Sequence, residues 1–129
     1  MDTYIHQHGG LGDMILCNGL IRYLLQNKDK KDKIYIFCRS RYLKSVKFMY
    51  RDEKRIKIIS FNENLNLKDE KLLAKFETNK AEKIVDKIKL NKKIDFIKIG
   101  FENYHKTRNV ELWTKKMYIN YVKKMFATS

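Results

Sequence analysis

The chain of 129 residues carries 29 Lys+Arg against 15 Asp+Glu, a net charge of +14, with two cysteines and no proline. That length buries roughly two-thirds of the unfolded chain's surface, which allows one real core and excludes a second full domain. A hydrophobic fraction of 43% argues against disorder, no apolar run approaches the roughly 18 residues of a membrane span, and the opening Met1–His6 is not a signal peptide. Two cysteines without CxxC spacing exclude a disulfide framework and a four-ligand zinc site. These bounds describe a single cytoplasmic α/β-sized domain.

The charge invites a nucleic-acid reading, because +14 attracts phosphates or an anionic membrane face whatever their sequence. Lysine is spread along every segment rather than blocked, however. It accompanies abundant Asn, Ile, Tyr and Phe, the profile of an AT-rich coding sequence. No RNP motif, zinc-finger spacing or helix-turn-helix signature appears. The expectation is therefore no specific nucleic-acid partner, with an anionic membrane surface, and a peripheral location on it, kept open.

Strand-like and helix-like runs alternate along the chain. Thr3–Gln7 reads as a short strand, followed by the glycine-rich His8–Gly12. Asp13 then opens a helix to about Asn27, apolar around most of its circumference, with Asn18, Arg22 and Gln26 as a polar stripe. Ile34–Cys38 is an unbroken apolar strand, as suits a parallel strand covered on both faces. Ser40 is placed to cap the next helix, with Leu43, Val46 and Tyr50 inward and Lys44, Lys47 and Arg51 outward. Ile56–Phe61 is a third strand. A helical hairpin or broken helix follows, its second half marked by Ala81, Ile84, Val85 and Ile88 and by a capping-box pattern at Asn79 and Glu82. Ile94–Ile99 is a fourth strand ended by Gly100, and Val110, Trp113, Met117, Tyr121 and Phe126 describe an amphipathic closing helix. The alternation predicts an α/β fold, an open, mostly parallel Rossmann-like sheet with helices on both faces and no internal domain boundary.

In such sheets chemistry gathers at the carboxyl ends of the strands, above all where the first strand turns into the first helix. Here that turn is His8-Gly9-Gly10-Leu11-Gly12-Asp13. Its glycines permit positive φ and close backbone approach, and the N–H groups of a helix start favour developing negative charge. No GxxxxGK[ST] loop is present, and Ile15 stands where a dinucleotide GxGxxG fingerprint requires a small residue. Asp13 also disfavours a pyrophosphate at that mouth. It reads either as an N-cap or as a carboxylate accepting a proton from a hydroxyl, with His8 and Asn18 near the same mouth.

The segment His8-Gly9-Gly10-Leu11-Gly12-Asp13-Met14-Ile15-Leu16 through Asn18, Ile21 and Arg22 resembles the opening GLGD-x-[IL]-L…IR stretch of GT-B glycosyltransferases. The similarity is to the ADP-heptose:lipopolysaccharide heptosyltransferase family and its relatives. It implies one Rossmann-like half of a GT-B fold over residues 1–129, the acceptor-side domain, without the C-terminal donor-binding domain. By that resemblance Asp13 is the general base that deprotonates a sugar or glycan acceptor, and Gly10 and Gly12 shape the turn, with His8 and Gly9 as further acceptor-side candidates. The nucleotide-sugar donor belongs to the second domain, so the chain alone is expected to be inactive, and no metal or bound cofactor is implied.

Two further groups reach the same sheet edge. Arg39 and Arg41 follow the second strand, where they suit an acidic acceptor, the 2′-phosphate of NADP in an oxidoreductase fragment, or a solvated helix start. Tyr104 and His105, with Glu102, Lys106 and Arg108, follow the fourth strand and read either as a ring and charges for a sugar or as an ordinary polar loop. A non-catalytic basic α/β binding module is the remaining alternative. No His, Cys, Asp or Glu grouping has metal-ligand spacing, and Cys17 and Cys38 read as buried and inert.

Overall fold

The computed structural model describes residues 1–7, 11–62 and 68–99, and for residues 13, 70 and 71 the backbone alone. Four strands, β1 (Asp2–Gln7), β2 (Ile34–Arg39), β3 (Ile56–Phe61) and β4 (Ile94–Ile99), form one sheet. All pairings are parallel and the order is β3-β2-β1-β4. Three α-helices connect them: α1 (Leu11–Gln26), α2 (Leu43–Met49) and α3 (Glu70–Lys89), with a short 3-10 turn at Ser40–Tyr42 ahead of α2. The expected α/β class and parallel sheet hold.

The two faces of the sheet differ in chemistry because strand residues alternate sides. Ile5, Ile34, Ile36, Cys38 and Ile99 point to one face and pack with Met14, Cys17, Leu20, Ile21, Leu24 and Leu25 of α1 and with Val46 of α2. Tyr4, Phe37, Phe61 and Ile94 point to the other and pack with Ala81 and Val85 of α3. The first face is aliphatic and the second largely aromatic. Tyr4 stacks on Tyr35 with centroids 4.5 Å apart, and Phe37 and Phe61 lie 6.2 Å apart. Two connections that step one way along the sheet put α1 and α2 on one face; the return from β3 to β4 puts α3 on the other, as right-handed crossovers require.

Three expectations are corrected. The segment before β4 is one continuous helix of 20 residues rather than a broken one, so Asn79 lies inside it and caps nothing. Its core-facing row runs Leu73, Glu77, Ala81, Val85, and the acid at 77 interrupts the apolar pattern without interrupting the helix. Ser40 makes no cap, because the chain enters α2 through the 3-10 turn and neither start carries a side-chain cap hydrogen bond. Finally, α1 begins at Leu11, so Asp13 is its third residue and not its cap. Leu11 is itself packed against the α1-side core, which draws the first turn into the helix. The expected closing helix from Val110 to Phe126 lies outside the described residues.

Helices α1 and α2 are clamped by one arginine. Arg22 donates through both terminal nitrogens to Asp52 at 2.9 and 2.8 Å, to the Met49 carbonyl at 2.9 Å, and through Nε to Asn18 Oδ1 at 2.9 Å. At the amino ends of the strands, buried Asp2 accepts from Lys92 Nζ at 2.6 Å and from the Lys33 backbone N–H at 2.9 Å. Burial pushes the Asp2 carboxyl up, but those hydrogen bonds and the Lys92 charge outweigh it and hold the pKa below the ordinary 3.8. A folded pKa below the unfolded one gives stability that is complete above the unfolded value and lost as pH falls through the folded value. Denaturant unfolding from about pH 6 to about pH 2 is therefore expected to show a shallower acid loss for Asp2→Asn than for the parent chain. Identical acid slopes would show that Asp2 does not carry this linkage.

Candidate functional site

Strand order decides where the chain can hold a ligand. β1 leads into α1 on the aliphatic face, while the connection entering its neighbour β4 arrives from the aromatic face. The β1–β4 boundary is thus the point where the winding reverses, and a doubly wound sheet opens its crevice there, beyond the carboxyl ends. Gln7 and Ile99 pair at that end. His8, Gly9 and Gly10, together with Tyr104 and His105, lie outside the described residues.

The one described glycine of this segment, Gly12, is the second residue of α1, exposed and without positive φ. A Cβ built there meets nothing within 4 Å. The backbone of the first turn of α1 is therefore open to approach on that side. Asp13 follows it in the same turn. Asn18 is elsewhere: five residues on, about 140° around the helix from Asp13, its side chain belongs to the Arg22 clamp against α2. The expected grouping of Asn18 with Asp13 is thus not what the helix geometry produces.

Arg39 is the larger correction. It is the last residue of β2, buried, and its guanidinium lies against Glu77 of α3, with Nε at 3.1 and 2.9 Å from the two carboxylate oxygens and a terminal nitrogen at 2.9 Å. An arginine fixed on a buried carboxylate is neither a solvated helix start nor a guanidinium available to a 2′-phosphate. Arg41, in the 3-10 turn, is exposed, with its guanidinium 5.6 Å from the Tyr42 ring centre.

A second polar contact sits beside the pair. His6, buried in β1, places Nε2 at 3.2 Å from Thr78 Oγ1, and that hydroxyl donates to the Ala74 carbonyl at 2.8 Å. With the hydroxyl proton given to Ala74, its oxygen is free to accept from the Nε2–H tautomer of His6. Phe37 and Phe61 surround the imidazole, at 6.5 and 6.4 Å between centroids. His6 and Arg39 therefore anchor the first half of α3 to the carboxyl ends of β1 and β2. Lys98 of β4 adds an ion pair to Glu82 further along the helix.

Glu77 and Thr78 were not singled out in the sequence. The available signal was the four-residue row Leu73, Glu77, Ala81, Val85: a lone acid on an otherwise buried row requires a buried cation. The cysteines behave as expected, both buried and unpaired by disulfide, and burial pushes the Cys38 thiol up to about 11. Among the described residues no group of His, Cys, Asp and Glu is placed to hold a metal, and no helix is long and apolar enough to cross a membrane. No protein-family model, curated protein or solved structure matches the chain.

Glu77→Ala leaves a buried guanidinium without its carboxylate and is expected to cost about 3–5 kcal/mol in denaturant unfolding. Arg39→Met with Glu77→Leu removes both charges and should recover most of that loss. A cost below about 1 kcal/mol for the single change would mean that the pair is exposed to water in solution.

Proposed function

We propose that this chain is the acceptor-side half of a GT-B-like glycosyltransferase, which moves a sugar from a nucleotide-sugar to an acceptor hydroxyl once a donor-binding domain is supplied. The observation that carries the reading is the position of the GGLGD segment: it links the strand at the reversal point of the sheet to α1, and its aspartate falls in that helix's first turn. In this reading Asp13 takes the acceptor proton as the hydroxyl oxygen attacks the anomeric carbon and the nucleotide leaves with the bonding electrons. A helix start favours negative charge nearby, which suits a carboxylate base in the first turn. His8 and the backbone of Gly9, Gly10 and Gly12 line the acceptor side, and Tyr104, His105 and Arg41 supply contacts to sugar hydroxyls or an acidic group. Direct displacement of this kind inverts the anomeric centre, with the base on this chain and the donor on the second domain.

The NADP reading is weaker on one specific ground. The arginine it needs at the end of β2 is held by Glu77.

In a chain joined to a donor-binding domain, Asp13→Asn is expected to lower turnover about 10²–10⁴-fold while acceptor KM changes little. Full turnover with that substitution would remove Asp13 from the chemistry. Gly12→Ala tests the acceptor side separately. With open space at the Cβ position and a helical backbone, the change should raise stability by about 0.5–1 kcal/mol. If the acceptor lies against that turn, the same methyl group weakens acceptor binding; binding that stays unchanged would place the acceptor elsewhere.

A further inference from the structure

The outer face of α2 is chemically unlike the rest of the basic surface. Lys44, Lys47 and Phe48 share one side of the helix, opposite buried Val46, and exposed Arg51 follows in the turn after it. Arg41 in the preceding turn is exposed as well. No acidic residue occurs from Ser40 through Arg51, and the next one, Asp52, is held by Arg22. Helix α3, by contrast, mixes its lysines with Glu70, Glu77, Glu82 and Asp86. In the middle of the α2 cations Phe48 is 65% exposed, the most exposed aromatic ring among the described residues, with the Arg51 guanidinium 3.9 Å from its centre.

A phenyl ring left in water within a ring of cations fits an anionic surface that also has an apolar layer beneath it. We propose that this face of α2 docks on an anionic lipid bilayer, the cations meeting the headgroups and Phe48 entering the boundary below them. Lysine and arginine stems are long enough to stay at headgroup level while the shorter aromatic reaches inward. The charge excludes a second copy of the same face as the occupant, since two such faces repel. A polynucleotide would engage the cations, but with one face of the ring under Arg51 the phenyl is poorly disposed to stack bases. The proposal shares only Arg41 with the transferase reading, and its test changes Lys44, Lys47 and Phe48, none of which that reading uses.

The test is co-sedimentation of the whole chain with phosphatidylcholine vesicles and with vesicles containing phosphatidylserine. Binding should require the anionic lipid and fall as salt rises. Lys44→Gln with Lys47→Gln should weaken it about 25-fold, at about five-fold per cation. The charge-matched pair Lys87→Gln with Lys89→Gln, exposed on α3, should cost far less, and Phe48→Ala should weaken binding at constant net charge. Circular dichroism is expected to be the same for all variants, as each changed side chain is exposed. Equal losses from the two lysine pairs, indifference to Phe48→Ala, or tighter binding to single-stranded DNA through the same residues would overturn the proposal.

Discussion

The buried pair of Arg39 and Glu77 is the interaction on which the rest of the arrangement turns. A sheet ordered β3-β2-β1-β4 obliges the chain to leave β3 at one edge and return past two strands to the other. Helix α3 makes that return across a face of rings, and its row of Leu73, Glu77, Ala81 and Val85 gives it a narrow apolar seam. Ala81, fully buried, lets the backbone come close to the aromatic layer, but dispersion against rings is weakly directional. The two-pronged contact from Arg39 to Glu77, with the His6–Thr78 bond beside it, fixes the helix in rotation and along its axis. A buried ion pair is costly to desolvate and contributes modestly to net stability; what it supplies here is a unique docking.

That docking has a consequence at the carboxyl edge of the sheet. With α3 held over β1 and β2, the connection into β4 lies on the opposite face to α1, which makes the β1–β4 boundary the reversal point of the sheet. The same pair withdraws Arg39 from ligand binding. One residue thus separates two readings of the strand end: a basic group for a cofactor phosphate, or a structural anchor between β2 and α3. The observed contacts favour the anchor.

Much of this was legible in the sequence, for physical reasons specific to each element. Six-residue runs such as Ile56–Phe61 and Ile94–Ile99, rich in β-branched and aromatic residues, have few alternatives to a strand in a covered sheet. The inward set of α2 followed from spacing alone. What misled was polar chemistry inside the core. Asn79 with Glu82 looks like a helix start, and nothing local marks Glu77 as a core residue, because the cation that accommodates it lies 38 residues earlier in the chain. Asn18 looked like a site residue because it is polar and near a glycine turn, yet its partner is Arg22 one turn on. Local patterns show where a polar residue sits; only tertiary pairing shows what it serves.

The exposed α2 face and the β1–α1 turn both emerge from the carboxyl side of the sheet, the former through the 3-10 turn after β2. The fold therefore places a basic, aromatic-tipped surface and the candidate acceptor mouth on neighbouring connections, while stability resides in the two layers beneath them. All of this presupposes the Arg39–Glu77 contact in solution. Its most direct measurement is the nitrogen-15 spectrum of the arginine side chains. The Arg39 Nε–H is expected as a resolved, slowly exchanging signal that moves and exchanges faster in Glu77→Gln. An Arg39 signal that exchanges as fast as those of the exposed Arg41 and Arg51, and is indifferent to Glu77→Gln, would contradict the anchored helix.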